Sequence, residues 1–401
     1  MTEQPNRICI LGGGFGGLYT ALRLSQLPWV KQEKPEMVLV DRCDRFLFSP
    51  LLYELMTGEL QTWEIAPLFQ DLLAGTGIQF YQAAVAGIDL QAKRVQFHDG
   101  PEMSYSHLVL AMGGETPLNQ VPGVEEYALP FRTVANAHQL EERLRSLETT
   151  DTEKIRVAIV GGGYSGVELA CKLAERLQDR GRIRLIEQTD QILRPSSEFN
   201  RDAAMKALSD RGVWLDLTTT VAEVTSNSIS LTYKDTTDTI PVDIVLWTVG
   251  TRVTEVINHL PLKKNQRGQL TVTPTLQIPD YPEVFALGDL VDGKDATEQL
   301  VPATAQAAIQ QADYVGWNLW ASLTGRPLLS FRYQSLGEMM TLGIDNATMT
   351  GLGLKLDGPL AAIARRLAYL YRMPTLDHQI RVGLSWISQP IVSILENLAK
   401  Q

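Results

Sequence analysis

Apolar residues recur along the chain in one pattern, written twice. The run from Arg7 to Leu11 (RICIL) has the length of a buried strand and passes into GGGFGG and then a stretch with helical spacing. The run from Arg156 to Val160 (RVAIV) passes into GGGYSG and a second helical stretch. After each helix comes another apolar run that ends on an acid, MVLVD closing at Asp41 and IRLIE closing at Glu187. Short apolar runs alternating with helical spacing predict two βαβ units built on parallel sheets.

A further apolar strand ending in small residues also appears twice, LVLAMGG at 108–114 and IVLWTVG at 244–250. Each is expected to close its unit beside a ligand. VFALGD follows at 284–289, then a helix expected from about Pro302 to Trp320, with the proline in its first turn. This order nests the second unit inside the first. Residues 1–115 and 266–325 are expected to form one dinucleotide-binding domain, 116–265 the inserted one, and 326–401 a C-terminal region of short strands and amphipathic helices. A helical stretch from Phe131 to Leu147 is expected to bridge the units. The fold class is therefore α/β, with two Rossmann-type domains.

The glycines explain why such turns hold dinucleotides. Gly12 and Gly161 permit the tight strand-to-helix turn, Gly14 and Gly163 lack the Cβ that would keep a pyrophosphate away, and Gly17 and Gly166 let helix pack on sheet. Free N–H groups and the positive helix end then hold the diphosphate without a lysine. A lone GxGxxG says little, but two copies, each between a strand and a strand ending in an acid, are specific. Asp41 and Glu187 stand where a carboxylate accepts hydrogen bonds from ribose hydroxyls, the bland alternative being solvated acids at strand ends. At the second site an acid repels a 2′-phosphate and favours NADH over NADPH; Arg194 works the other way, and the preference stays open. Gly288 and Asp289 form either an ordinary turn pair or a carboxylate aimed at a ligand polyol.

These segments carry a family resemblance. The order GGGFGGL, FLFSPLLYEL, LAMGG, GGGYSGVELA, LWTVG, VFALGD and PATAQAAIQQ resembles the type II NAD(P)H dehydrogenases, single-chain flavoenzymes that reduce quinones. The likeness runs from about Arg7 to the C-terminus. FLFSPLLYELMTGELQTWEIAP and ARRLAYLYRMP resemble most the branch of cyanobacteria and plastids that reduces demethylphylloquinone in phylloquinone biosynthesis. The resemblance implies FAD at Gly12, Gly14, Gly17, Asp41, Gly113, Gly288 and Asp289, with Ala305 admitting the flavin edge. It implies NAD(P)H at Gly161, Gly163, Gly166, Glu187 and Gly250. Gln306 and Gln310 match the family's AQxAxQ quinone motif and, at i and i+4, share one helical face; without the resemblance they would be two glutamines on a wet helix. Glu168, placed in the first turn of the second unit's helix, matches a position tied to communication among nicotinamide, flavin and quinone, or is a plain acid at a helix N-terminus. Two departures stand out. Tyr164 and Ser165 replace the family's usual Pro-Thr, and Glu187 disfavours the NADPH linked to the phylloquinone branch.

Composition narrows the rest. A net charge of -10, with no long basic stripe to neutralise phosphates, argues against a nucleic-acid partner. Cys9, Cys43 and Cys171 make neither a redox pair nor a metal spacing, which argues against a disulfide reductase or a sulfide:quinone oxidoreductase and fits a reducing compartment. No metal site is expected. No leader is expected ahead of the first strand, and no run reaches the ~18 apolar residues of a spanning helix. From Gly351 on, six basic residues face three acidic ones, and Leu360, Ile363, Ala364, Leu367, Leu370 and Tyr371 fall at helical spacing. A second apolar set follows, interrupted by Pro390. Such a tail suits a peripheral anchor on the cytoplasmic face of an anionic membrane in a cyanobacterium-like cell, a homodimer face, or helices packed on the core. The expected activity passes hydride from NAD(P)H to FAD and then two electrons to a naphthoquinone, demethylphylloquinone by resemblance. Its rivals are a non-pumping respiratory NADH:plastoquinone reductase and a ferredoxin-type reductase with a protein acceptor.

Overall fold

The computed structural model describes residues 6–30, 34–151 and 153–399, with side chains as far as Ser388. Two compact units emerge. One comprises the chain up to Leu47, Ala66–Glu115 and Thr251–Gln334; the other comprises Phe48–Ile65, Thr116–Gly250 and the chain from Ser335. The division falls after Glu115, Gly250 and Gln334, beside the 115/116, 265/266 and 325/326 expected from the sequence. Arg252–Val253 pairs antiparallel with Gly114–Glu115, which carries the chain back into the first unit soon after Gly250. The C-terminal region clusters with the second unit, as does the 48–65 excursion, which periodicity did not mark.

In the first unit a six-stranded sheet runs Gln277–Ile278, Tyr281–Ala286, His107–Leu110, Arg7–Leu11, Glu36–Asp41, Gln79–Gln82. All neighbours are parallel except the first pair. Tyr281–Ala286 lies beside His107–Leu110, so the chain rejoins its first sheet after the insertion, as the nested order requires. Buried Cys9, Leu11, Val38, Val40, Leu108, Leu110, Val284 and Ala286 form one side of a core. Residues 8–11 and 37–40 are buried on both faces, which is why they read as continuous apolar runs rather than an alternation. Helix Phe15–Gln26 covers this sheet together with helix Ala305–Thr324.

The latter helix corrects one expectation. It starts at Ala305, capped by Thr304, whose hydroxyl accepts from Ala307 N; Pro302 lies outside it. A hydroxyl that satisfies an orphan N–H sets the start more firmly than a proline's fixed φ.

The second unit holds a five-stranded parallel sheet in the order Trp214–Asp216, Gly181–Ile186, Ile155–Val160, Ile244–Trp247, Ala128–Pro130. Helix Val134–Glu148 belongs to this unit rather than bridging the two, and Thr133 and Asn136 close a capping box at its start. The strands Glu338–Thr341, Ala347–Gly351 and Leu354–Asp357 form a small antiparallel sheet, followed by helices Gly358–Arg372 and Leu376–Ala399. The last helix runs through Pro390 without the expected break, and the side chains of the apolar set beyond it lie outside the described residues, as does Lys400. Among the described residues no helix is long and apolar enough to cross a membrane.

Candidate functional site

Each unit carries its own glycine-lined cradle at the C-terminal end of its parallel strands. In the first, helix Phe15–Gln26 is preceded by Gly14 in extended backbone, with no side-chain cap, so its opening N–H groups point outward from the sheet end. A Cβ on Gly14 would meet nothing within 4 Å, which leaves space for a ligand, whereas one on Gly17 would sit 1.8 Å from Gly12 O. Gly12 needs its positive φ of 99°, and a Cβ there would come 2.3 Å from Ala111 O. The second cradle repeats this: open space at Gly163, and 1.8 Å between a Cβ on Gly166 and Gly161 O. Gly161 has φ 113°. Both turns therefore admit a diphosphate at the helix end and tolerate side chains at neither packing glycine.

Asp41 and Glu187 stand at the strand ends, and each ties down its own turn. Asp41 Oδ2 accepts from Gly13 N at 2.6 Å and Oδ1 from Cys43 N at 2.8 Å. Glu187 Oε2 accepts from Gly162 N at 2.7 Å, and Oε1 from Thr189 N and Thr189 Oγ1, both at 2.8 Å. Gly113 and Gly250 occupy positive-φ turns after the closing strands, at 65° and 79°. Gly288, at φ 76°, opens a single turn that contains Asp289. Gly288 N donates to Gln311 Oε1 at 2.7 Å. Gln311 is buried, and it links the Asp289 turn to helix Ala305–Thr324; sequence reasoning passed over it for its neighbour Gln310. Gln306 and Gln310 both stand on that helix, half-buried, each bonded to the segment at 333–334.

Glu168 proves to be the centre of a buried ion cluster in the second unit. It is the fifth residue of helix Tyr164–Leu177, hence in the second turn rather than the first, and is only 6% exposed. Its Oε1 accepts from Thr341 N at 2.9 Å and lies 3.6 Å from Arg365 Nη2. Arg365 Nη1 donates to Glu54 Oε1 at 2.5 Å and Nη2 to Pro50 O at 2.7 Å. Four residues past Glu168, fully buried Lys172 donates to Glu59, which also accepts from Arg366 at 3.0 Å. Burial pushes Glu168 up to about 8, only partly countered by Arg365 and the Thr341 N–H. Burial acts on Glu54 in the same direction, but Arg365 and Lys172 outweigh it and hold Glu54 below the usual carboxylate range. Two sealed carboxylates thus differ in charge near neutral pH, the arrangement that separates an acid from a fixed anion.

The departures at Tyr164 and Ser165 have structural roles in the second unit. Ser165 Oγ accepts from the Tyr53 hydroxyl at 2.9 Å, and Tyr53 stacks on Phe131 at 5.6 Å. Tyr164 is raised to about 12, by burial first, with Glu338 adding to it and the Ser196 hydrogen bond opposing.

The C-terminal helix 358–372 is inside out relative to a core-facing helix. Leu360, Ile363, Leu367 and Tyr371 are exposed, while Ala361 and Arg365 are buried. Arg365 and Arg366, expected among the surface cations of the tail, are instead consumed by Glu54 and Glu59. Burying a guanidinium is tolerable only against a carboxylate, and that partner comes from a segment 311 residues away in sequence. Cys9 and Cys171 are buried and Cys43 is exposed, all three free.

Comparison with known proteins follows the same lines. The family model described as pyridine nucleotide-disulphide oxidoreductase matches residues 6–312. The demethylphylloquinone reductase of Synechocystis sp. is 55% identical over 99% of both chains. The alternative NAD(P)H-ubiquinone oxidoreductase C1, chloroplastic/mitochondrial, of Arabidopsis thaliana is 44% identical over 96% of this chain and 81% of its own. Among solved structures, the NDH2 of Plasmodium falciparum in complex with NADH superposes with a TM-score of 0.84 at 17% identity, covering 96% of this chain and 98% of that one, and so shares the fold.

Proposed function

Because the chain belongs to the pyridine nucleotide-disulphide oxidoreductase family, we propose that it is a flavin-dependent NAD(P)H:quinone oxidoreductase whose acceptor is a naphthoquinone of the demethylphylloquinone type. The reading is carried by the pair of open glycine cradles in a chain 55% identical throughout to a demethylphylloquinone reductase. FAD, when bound, accepts a hydride from NAD(P)H and yields two electrons to the acceptor. This chain lacks the close cysteine pair a disulfide substrate would need, so a quinone takes that place.

The residues do the positioning. The helix-opening N–H groups that follow Gly14 would hold the FAD diphosphate, with Asp41 on the ribose and Gly12, Gly113, Gly288, Asp289 and Ala305 around the remainder. Gly161, Gly163, Gly166 and Gly250 would serve NAD(P)H likewise. Glu187, at the ribose of that second site, favours NADH, since a 2′-phosphate would meet its charge. Glu168 would act as a proton store. With Oε1 held by Thr341 N–H and facing Arg365, the proton of the neutral acid belongs on Oε2. Gln306 would meet the quinone carbonyl, an acceptor that needs an N–H donor.

The exposed apolar face of helix 358–372 supports a peripheral membrane contact, which on this reading is on the cytoplasmic side, where a hydrophobic quinone dissolves. A homodimer would cover the same face.

An anaerobic visible spectrum tests the core of the proposal. NADH is expected to bleach the flavin band faster than NADPH, and a short-chain naphthoquinone to restore it. Bleaching without recovery would remove the quinone, and recovery with a plastoquinone analogue alone would favour a respiratory role.

A further inference from the structure

The chain between Pro327 and Gln334 forms no strand or helix, yet it is fastened along helix Ala305–Thr324 in antiparallel sense by amide side chains. Asn318 grips both backbone groups of Leu329: Leu329 N donates to Oδ1 at 2.7 Å and Nδ2 donates to Leu329 O at 2.8 Å. Gln310, eight residues earlier on the helix, grips Gln334 in the same two-bond manner, at 3.0 Å from Gln334 N and 2.8 Å to Gln334 O. Between these grips Phe331 N donates to Pro274 O at 2.8 Å, and its buried ring meets Tyr314 edge-on at 5.2 Å. Next to the second grip, Tyr333 N donates to Asp295 Oδ2 at 3.0 Å, and the Tyr333 hydroxyl donates to Gln306 Oε1 at 2.9 Å.

The two glutamines that look equivalent on one helical face therefore have different chemistry. The Gln310 amide is matched end for end by a peptide group, and its duplicate in Asn318 lies at a position with no part in any quinone motif. The Gln306 amide instead accepts a phenol at its Oε1 end. A donor at Oε1 turns the Nε2 end, with its two protons, toward whatever else meets this side chain. Quinone carbonyls accept hydrogen bonds and cannot donate them, so this is the end they require.

We propose that Gln310 is an anchor of this strap rather than a second quinone contact, and that Tyr333, carried by the strap, is a positioning residue that orients Gln306 toward the quinone. The inference rests on reading Gln306 as the quinone contact.

The test uses flavin-loaded enzyme and menadione, with flavin reduction by NADH as an internal control that a general folding defect would disturb. Tyr333→Phe is expected to raise the KM for menadione about five- to tenfold, the loss of one hydrogen bond, with the rate of flavin reduction unchanged. In a Gln306→Ala background the same change is expected to add nothing, because its effect passes through Gln306. Gln310→Met is expected to speed tryptic cleavage after Arg332 and to raise the KM, but to add nothing further once Tyr333 is Phe. A Gln310→Met effect that persists undiminished in the Tyr333→Phe background, with cleavage unaltered, overturns the anchor role. An inert Tyr333→Phe beside a damaging Gln306→Ala overturns Tyr333 while sparing the quinone contact. A Gln306→Ala variant with normal menadione kinetics overturns that contact and this inference with it.

Discussion

Glu54 and Glu168 are the same residue type, equally sealed from water, and face the same guanidinium, yet their proton affinities move apart. Arg365 stands 2.5 Å from Glu54 and 3.6 Å from Glu168, and Lys172 adds to its pull on Glu54, so only Glu54 gains enough to overcome burial, while the Glu54 charge pushes Glu168 further up. Glu168, raised from 4.5 to about 8, binds its proton more tightly folded than unfolded. Its contribution to stability is then fully present below pH 4.5 and is lost as pH rises through 8, each unit of the difference being worth about 1.4 kcal/mol. Glu168→Gln keeps the neutral shape and is expected to flatten the fall in thermal stability across that window, measured by unfolding at several pH values; an unchanged slope would mean that Glu168 is ionised in the fold. Arg365→Met should cost about 3–5 kcal/mol in denaturant unfolding, since it leaves Glu54 buried without its cation, and Arg365→Lys clearly less. None of this was legible beforehand. The partners of Arg365 are set by tertiary packing across most of the chain, whereas Gly12, Gly161, Asp41 and Glu187 declared themselves because their chemistry is local.

At the scale of elements, the two βαβ units stood out in the sequence because strands buried on both faces leave unbroken apolar runs and the glycine turn has few substitutes. Helix starts were less legible. Pro302 drew attention to itself, but Thr304 does the capping, and Thr304→Ala is expected to lower stability by about 1 kcal/mol while Pro302→Ala leaves it nearly unchanged in the same melt. The twin cradles also make a paired test of which cofactor each holds. A Cβ at Gly17 or Gly166 would fall 1.8 Å from a backbone oxygen, which no side-chain adjustment relieves. Gly166→Ala is expected to abolish flavin bleaching by NADH yet keep the flavin through gel filtration. Gly17→Ala is expected to lose the flavin itself. The reverse outcome would exchange the two assignments. What the elements concealed was the strap at 327–334, because a segment fastened by side-chain amides has no periodicity to read.

At the scale of the whole molecule, the tail poses the question that composition answered only in part. Its excess of basic residues seemed to point to anionic lipid, but Arg365 and Arg366 are drawn inward by Glu54 and Glu59, and Arg381 pairs with Asp377. What remains outside is largely apolar, with Lys355 and Arg372 the exposed cations beside it: Leu360, Ile363, Leu367 and Tyr371, joined by Leu376, Ile380, Leu384 and Ile387 on the next helix and by Leu352 and Leu354 at a hairpin tip. An exposed set of this size on a chain with a net charge of -10 is costly in water unless something covers it. If the cover is a bilayer, burial of these side chains rather than charge should dominate the affinity. Sedimentation with vesicles is then expected to survive a change from 50 to 500 mM salt with little loss, and to be nearly equal for neutral and mildly anionic lipid. Leu360→Glu combined with Leu367→Glu is expected to abolish it, while the turnover of a water-soluble quinone continues. Steep weakening with salt would restore charge as the driving term, and a wild type that ignores vesicles but sediments as a dimer, dissociated by the same double substitution, would assign the face to a second copy of the chain.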